Sequence, residues 1–319
     1  MSEVILILEP DGYSERALSI YRRLGRVERF EDGSYDDGEV FALVSRFAHR
    51  LDERFLARYA NLRFIVSPTT GLNHVDSDYC ARRGIDVISL KGESEFLRSV
   101  TATAELAFGM ILSLVRNIHS SFASIVNEGR WDRDPFKGRE LSGLTLGILG
   151  FGRLGRRVFE IAEAFGMKTL VCDPFVDAAV FGEYGAARAG ADELFERSDV
   201  VTVHVDHRKE NEKMIGEREF SLMKKGSWFV NTARGELVDE AALLDALAGG
   251  RLAGAAVDVL ADENDREKIF DKPLVRYARE HANLIITPHI GGCTVESMRK
   301  TEDFCARKLE ELVIGEDSK

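Results

Sequence analysis

The run Thr145-Leu146-Gly147-Ile148-Leu149 followed by Gly150-Phe151-Gly152-Arg153-Leu154-Gly155 decides how the rest of the chain is read. A short apolar strand ends in glycines spaced G-x-G-x-x-G, and Arg153–Phe165 then reads as a helix. The first glycine permits a tight turn, the second lets backbone approach a pyrophosphate, and the third lets the helix close on the strand. Backbone N–H groups at the helix start then meet the phosphate charge. The next strand, Thr169–Cys172, leads into Asp173. That is near the spacing of about 20 residues at which a carboxylate accepts ribose hydroxyls and repels a 2′-phosphate. Gly150, Gly152, Arg153, Leu154, Gly155 and Asp173 are therefore the expected dinucleotide site, with NAD expected in preference to NADP.

Outward from this turn the same alternation continues. Strands Val200–Val205, Ser227–Asn231, Gly254–Val259 and Leu284–Thr287 interleave with helices Ala191–Arg197, Glu217–Met223 and Glu240–Gly249. Upstream, strands Val4–Leu8, Phe41–Val44, Leu62–Val66 and Val87–Leu90 interleave with helices Ser14–Leu24, Glu53–Tyr59 and Asp76–Arg83. Short apolar runs broken by polar or glycine turns are the signature of parallel α/β sheets. A long helix from Ser99 to about Asn117 and an irregular arm, Asn127–Glu140, separate the two series, and a last helix, Val295 to Val313, ends at Gly315. The length of 319 residues suits two domains. The expected fold class is α/β, with two Rossmann-like domains of parallel sheets flanked by helices, and cofactor and substrate in the interdomain cleft. Residues 1–98 with 290–319 are expected to form a discontinuous, flavodoxin-like substrate-binding domain, and 99–289 an NAD-binding Rossmann domain.

A net charge of −11 without a basic stripe argues against a nucleic-acid partner. Met1-Ser2-Glu3 runs directly into Val4–Leu8, without the basic start and cleavage site of a signal peptide. The longest helical apolar stretch, Leu106–Val115, is interrupted by Gly109 and Ser113 and falls short of a membrane span. A cytoplasmic protein with no membrane partner is expected. Cys80, Cys172, Cys293 and Cys305 contain no C-x-x-C pair, so neither a disulfide framework nor a metal site is expected.

Three further segments carry chemistry: Asn231-Thr232-Ala233-Arg234-Gly235, Val257-Asp258-Val259-Leu260-Ala261-Asp262-Glu263, and Thr287-Pro288-His289-Ile290-Gly291-Gly292. After a dinucleotide cradle they supply an arginine, an acid and a histidine, which suggests hydride transfer. A hydride adding to a carbonyl carbon creates alkoxide charge, which a guanidinium stabilises and an imidazolium quenches. A carboxylate on the other ring nitrogen fixes the tautomer. Pro288 restricts the backbone before His289, and the glycines after it leave room for a ligand.

Gly143–Gly152, Met223–Gly235 and Thr287–Gly292, in this order, make the chain resemble the D-isomer-specific 2-hydroxyacid dehydrogenases nearly end to end. The resemblance implies an NAD-dependent oxidoreductase that interconverts a D-2-hydroxy acid and its 2-keto acid. It also implies that Arg234 holds the substrate carboxylate and polarises the keto oxygen, Glu263 orients His289, and His289 exchanges the proton. At the nicotinamide end it places Thr103, Thr232, Arg234 and Asp258; it places His204 along the cofactor cleft, and Ala233, His289 and Gly291 also among the cofactor-binding residues. On the substrate it places Arg234, His289, the loop with Thr70 and Gly71, and Arg46, which would reach the distal group and so suggests 3-phosphoglycerate or a related anionic hydroxy acid. A homodimer is expected through the Ser99–Asn117 helix and the Trp131 arm.

The chain departs from the family pattern at three places. Asn264 stands where a proline is usual, so the histidine's carboxylate could instead be Asp262; Asp206 also replaces a proline, and Leu90–Leu97 differs from the usual segment, which points to unusual specificity. No regulatory domain follows residue 319, so a serine-sensing enzyme of the long type is not expected. Two other readings share the scaffold: an NAD-responsive corepressor-like binding protein and a phosphite-type dehydrogenase. Glu263, where formate enzymes carry glutamine, favours a 2-keto acid.

Overall fold

Strands buried on both faces belong in the interior of a helix-covered parallel sheet, and β1 (Val4–Ile7), β3 (Val40–Val44) and β4 (Phe64–Val66) are buried at every residue. With the edge strands β2 (Arg26–Arg29) and β5 (Asp86–Ile88) they form a five-stranded, all-parallel sheet ordered β2-β1-β3-β4-β5. The computed structural model describes residues 3–263 and 267–317; Asn264, on which the register question turned, lies outside the described residues. Helices α1 (Glu15–Leu24), α2 (Glu53–Leu56), α3 (Ser77–Arg83) and α4 (Ser94–Leu97) connect the strands of this unit. Alternation places Ile5, Ile7, Ala42, Val44 and Phe64 in one core layer, which Phe41 joins where β3 shifts register against β1, and Val4, Leu6, Val40, Leu43 and Ile65 in the other with Leu56, Tyr59 and Tyr79.

The second unit begins with α5 (Ala102–Val115) and α6 (Ile118–Glu128) and is built on β6 (Thr145–Leu149), β7 (Lys168–Cys172), β8 (Val200–Val203), β9 (Ser227–Asn231), β10 (Leu252–Val257) and β11 (Leu284–Ile286). These six are parallel in the order β11-β10-β9-β8-β6-β7. A single parallel bridge from Val171 to Arg188 continues the sheet beyond β7. The chain therefore grows outward in both directions from the β6/β8 junction, the topological switch point of a doubly wound sheet. On one face α5 and α7 (Arg153–Ala164) cover Leu146, Ile148, Val200, Val230 and Ala256. Helices α8 (Ala178–Tyr184), α9 (Ala191–Arg197), α10 (Glu217–Leu222), α11 (Glu240–Ala248) and α12 (Pro273–Glu280) complete this unit. The final helix, α13 (Val295–Asp317), packs on α1, β4 and β5 of the first unit.

The chain divides into Met1–Val100 with Cys293–Lys319, and Thr101–Gly292. The crossings fall at 100/101 and 292/293, against 98/99 and 289/290 expected. The long helix expected over Ser99–Asn117 is shorter. Asn117, at φ 54°, breaks it, and a further helix, α6, follows and runs into the first residues of the expected Asn127–Glu140 arm. The last helix runs through Gly315 instead of ending there. Strand β2 was not expected: an edge strand of sequence RVER pairs through its backbone and shows no apolar alternation. By length and hydropathy Ser94–Val115 is apolar enough to cross a membrane, a longer stretch than the sequence reading considered. In the fold it is two helices, and α5 buries Ala104, Ala107, Ile111 and Leu114 in the core.

Candidate active site

At the switch point, Gly150 takes φ 97°, and a Cβ there would lie 2.7 Å from the His204 carbonyl carbon; a Cβ on Gly155 would lie 2.0 Å from the Gly150 oxygen. Only glycine lets the loops after β6 and β8 touch and lets α7 seat against the turn. Gly152 faces open space, and α7 starts there without a side-chain cap, which suits the N–H groups of Leu154 and Gly155 in its first turn to an anion. Asp173 braces this loop: its Oδ2 accepts the Phe151 N–H at 2.8 Å and its Oδ1 the Phe175 N–H at 2.9 Å. Each oxygen has a second lone pair for a ribose hydroxyl. Arg153 and Leu154 are half-buried on the first turn of α7, and burial lowers the pKa of Arg153. His204 shares a hydrogen bond with the Thr202 hydroxyl through Nε2 (3.0 Å), and burial pushes its pKa down to about 4, so the ring is neutral at pH 7.

His204 Nδ1 and Thr232 Oγ1 are buried polar atoms without a partner among the described residues. Such atoms need an outside donor or acceptor. Together with the open, uncapped glycine turn they fit a dinucleotide.

The loop after β9 is turned by Asn231, whose Oδ1 accepts the Ala233 N–H (2.9 Å) and whose Nδ2 donates to the Arg234 carbonyl (2.8 Å). Arg234 donates through Nη1 to the Ala233 carbonyl at 2.6 Å. Desolvation lowers its pKa, and Glu263 and Glu236 act in the opposite sense through their charge. Gly235 lets this loop press on the next one, since a Cβ there would sit 2.0 Å from the Leu260 carbonyl carbon. In that second loop Asp262 takes φ 53°, and Glu263 folds back so that Oε2 accepts the Leu260 N–H at 3.2 Å. Glu263 Oε1 is hydrogen-bonded to His289 Nδ1. The structure thus brings Glu263, and not Asp262, to the histidine.

His289 itself has φ 54°, a left-handed conformation that costs a non-glycine residue roughly 1–3 kcal/mol. Asp258, 1% exposed at the end of β10, holds it there. The Asp258 carbonyl accepts the His289 N–H (2.8 Å); its Oδ1 accepts the Thr287 hydroxyl (2.5 Å) and the Ile290 N–H (2.8 Å), and its Oδ2 accepts the Gly291 N–H (2.7 Å). Burial raises the Asp258 pKa, with these hydrogen bonds opposing. Thr103 on α5 closes the cluster: a Cβ on Gly291 would lie 3.1 Å from its methyl group. Thr287 was not singled out in the sequence, where a threonine at a strand end carries no signal of its own.

In the first unit Arg46 follows β3 and is already paired. Its Nε and Nη2 donate to Glu302 Oε1 at 3.1 and 2.5 Å, and Nη1 donates to the Asp11 carbonyl at 3.3 Å. Glu302, 1% exposed on α13, was not anticipated, because nothing in a helical register distinguishes it from its exposed acidic neighbours. Thr70 and Gly71 lie in the loop after β4, exposed and half-buried respectively. Cys293 is exposed.

A glycine-turn cradle at a topological switch point, with an arginine after β9 and a carboxylate-paired histidine after β11 of the same sheet, defines a dinucleotide-binding α/β protein equipped for acid–base chemistry. More particularly, the chain belongs to the D-isomer specific 2-hydroxyacid dehydrogenase family, whose NAD binding domain matches residues 108–291. D-3-phosphoglycerate dehydrogenase of Rattus norvegicus is 35% identical over 273 residues, covering 86% of this chain and 49% of the relative. The Methanocaldococcus jannaschii enzyme of that name is 32% identical over 98% of this chain and 58% of its own length. The chain spans about half the length of the curated relatives it matches. Among solved structures, D-lactate dehydrogenase from Aquifex aeolicus, complexed with NAD and lactic acid, superposes with a TM-score of 0.83 at 29% identity, covering 98% of this chain and 96% of that one.

Proposed function

We propose that the protein is an NAD-dependent oxidoreductase interconverting a D-2-hydroxy acid and its 2-keto acid. The observation that carries this reading is His289, held in a left-handed turn with Nδ1 committed to Glu263, the same carboxylate whose charge acts on Arg234 in the loop after β9. With Nδ1 on Glu263, Nε2 would be the ring atom that exchanges a proton with substrate oxygen. Arg234 offsets the negative charge that develops on that oxygen and binds the carboxylate. Gly150, Gly152, Arg153, Leu154, Gly155 and Asp173 would hold NAD, which supplies or accepts the hydride; Thr103, Thr232, Asp258 and Gly291 would line its reactive end. By the family resemblance, backbone N–H groups of the Thr70–Gly71 loop would take the substrate carboxylate. Because Glu302 already neutralises Arg46, we favour a keto acid with an uncharged distal group, such as pyruvate, glyoxylate or hydroxypyruvate, over a phosphorylated one.

Loss of NADH absorbance with a panel of pyruvate, glyoxylate, hydroxypyruvate, 3-phosphohydroxypyruvate and phosphonopyruvate tests this directly. No oxidation with any of them would sink the dehydrogenase reading. Preference for a phosphorylated acid would sink only the substrate choice. We also propose a homodimer through α6 and the following arm, where Ile118, Phe122, Ile125, Val126 and Trp131 are exposed, the last at 90%. A monomeric mass by light scattering at micromolar concentration rules it out.

A further inference from the structure

Beneath the loop after β4 lies a buried line of polar side chains that the mechanism above does not use. Thr69 Oγ1 donates to the Gly71 carbonyl at 2.8 Å. Ser67 Oγ lies 2.8 Å from Thr69 Oγ1, and His74 Nε2 lies 3.2 Å from Ser67 Oγ. Each hydroxyl has one proton, which sets every direction. Thr69 spends its proton on the Gly71 carbonyl, so Ser67 must donate to Thr69, and His74 must donate to Ser67. The ring is therefore the Nε2–H tautomer, and its Nδ1 is a bare lone pair, buried with no hydrogen-bond partner. Ser67 and His74 are 0% and 1% exposed. Burial lowers the His74 pKa to about 4, consistent with a neutral ring.

The terminus of this relay is a peptide orientation. A planar trans peptide points its C=O and the following N–H in opposite directions. Drawing the Gly71 carbonyl inward onto Thr69 therefore turns the Leu72 N–H outward. Among the described residues no acceptor meets the N–H groups of Thr70, Gly71 or Leu72, and successive unpaired N–H groups form an anion-binding concavity. The same imidazole also packs edge-on against Phe47, with ring centroids 4.9 Å apart, and Phe47 directly follows Arg46. One buried ring thus keys two loops beyond the carboxyl ends of β3 and β4.

We propose that His74, acting through Ser67 and Thr69, is a positioning residue that fixes the backbone amides of Thr70–Leu72 for an anionic substrate group. This rests on the dehydrogenase reading, because the anion it serves is the keto-acid carboxylate. Thr69→Val removes the last hydroxyl with little change of volume, Ser67→Ala interrupts the middle of the relay, and Thr69→Ser restores the donor. The first two variants are expected to raise KM for the best acid of the panel roughly 5- to 10-fold, as expected for one lost hydrogen bond. They should leave kcat within about twofold and NADH affinity unchanged, and Thr69→Ser should return KM to the wild-type value. Calorimetric titration with oxalate, a non-reacting dianion, should show the same loss of affinity. If wild type turns over a keto acid but Thr69→Val leaves both KM and oxalate affinity unchanged, the relay does not position the loop. If KM rises only together with a fall in kcat and in thermal stability, and Thr69→Ser does not restore them, the line is merely structural and the proposal falls. Failure of wild type on every acid defeats the dehydrogenase reading instead; the relay then stands only if wild type binds oxalate and Thr69→Val weakens that binding.

Discussion

Asp258→Asn should disable the enzyme without touching a group that exchanges protons, and the structure sets the scale. The carboxylate accepts three hydrogen bonds: Thr287 hydroxyl and Ile290 N–H on one oxygen, Gly291 N–H on the other. Asparagine has the same shape but one acceptor oxygen. Whichever way the amide is turned, its NH2 group faces a backbone N–H now held 2.7 or 2.8 Å away, donor against donor. One unsatisfied buried N–H costs about 1–3 kcal/mol, and loss of charge assistance on the remaining bonds adds about 1 kcal/mol. The total, roughly 2–4 kcal/mol, is comparable to the 1–3 kcal/mol by which φ 54° disfavours His289. The turn should therefore relax, and displacement of His289 by about 1 Å is enough to lower kcat about 100-fold. Thermal unfolding should shift down by roughly 4–16 °C, at about 2–4 °C per kcal/mol for a unit of this size. Steady-state NADH oxidation and scanning calorimetry measure both quantities. Wild-type kcat together with wild-type Tm would show that these three contacts do not hold the histidine.

Three other outcomes follow from the same geometry. His289→Gly relieves the left-handed backbone, so it should unfold at the same temperature as wild type or higher while losing about 100-fold or more in turnover; a marked loss of stability would contradict the strain at this position. Asp173→Ser removes both the ribose carboxylate and the acceptor for the Phe151 and Phe175 amides, so NADH affinity should fall as the preference over NADPH narrows; an unchanged cofactor ratio in kcat/KM would mean that this carboxylate does not face the ribose. His74 is buried and neutral, with a folded-state pKa near 4 against 6.5 when unfolded, so acid favours the unfolded chain: its contribution is present above about pH 6.5 and is lost as pH falls toward 4. Denaturant titrations across that window should show a pH slope that is shallower in His74→Phe by up to about 1.4 kcal/mol per pH unit; parallel slopes would exclude a neutral buried ring.

Much of this was written in local sequence. Apolar strands buried on both faces, the glycine spacing of Gly150–Gly155 and the turn Thr287–Gly292 are short-range signals, because backbone conformation and strand burial leave their mark within a few residues. They sufficed for two parallel sheets, the dinucleotide cradle, and the trio Arg234, Glu263 and His289 as candidates. Local pattern could not show where helices break or how polar groups pair. Asn117 interrupts an apolar run that reads as one helix, and β2 exists only because an edge strand can be held by backbone bonds to β1.

Which carboxylate meets His289 was decided in three dimensions, since Asp262 and Glu263 differ in sequence by one position and only the left-handed Asp262 turns its neighbour back toward the ring. The sequence likewise presents Asp258, Glu302 and His74 as one acid among many, one helix residue, and one histidine. Long-range packing makes the first the anchor of the histidine turn, pairs the second with Arg46 across 256 positions, and sets the third under the Thr69–Gly71 loop. The physical reason is that a buried charge or ring must find its partner wherever the fold supplies one, and a partner brought by tertiary contact has no fixed spacing along the chain.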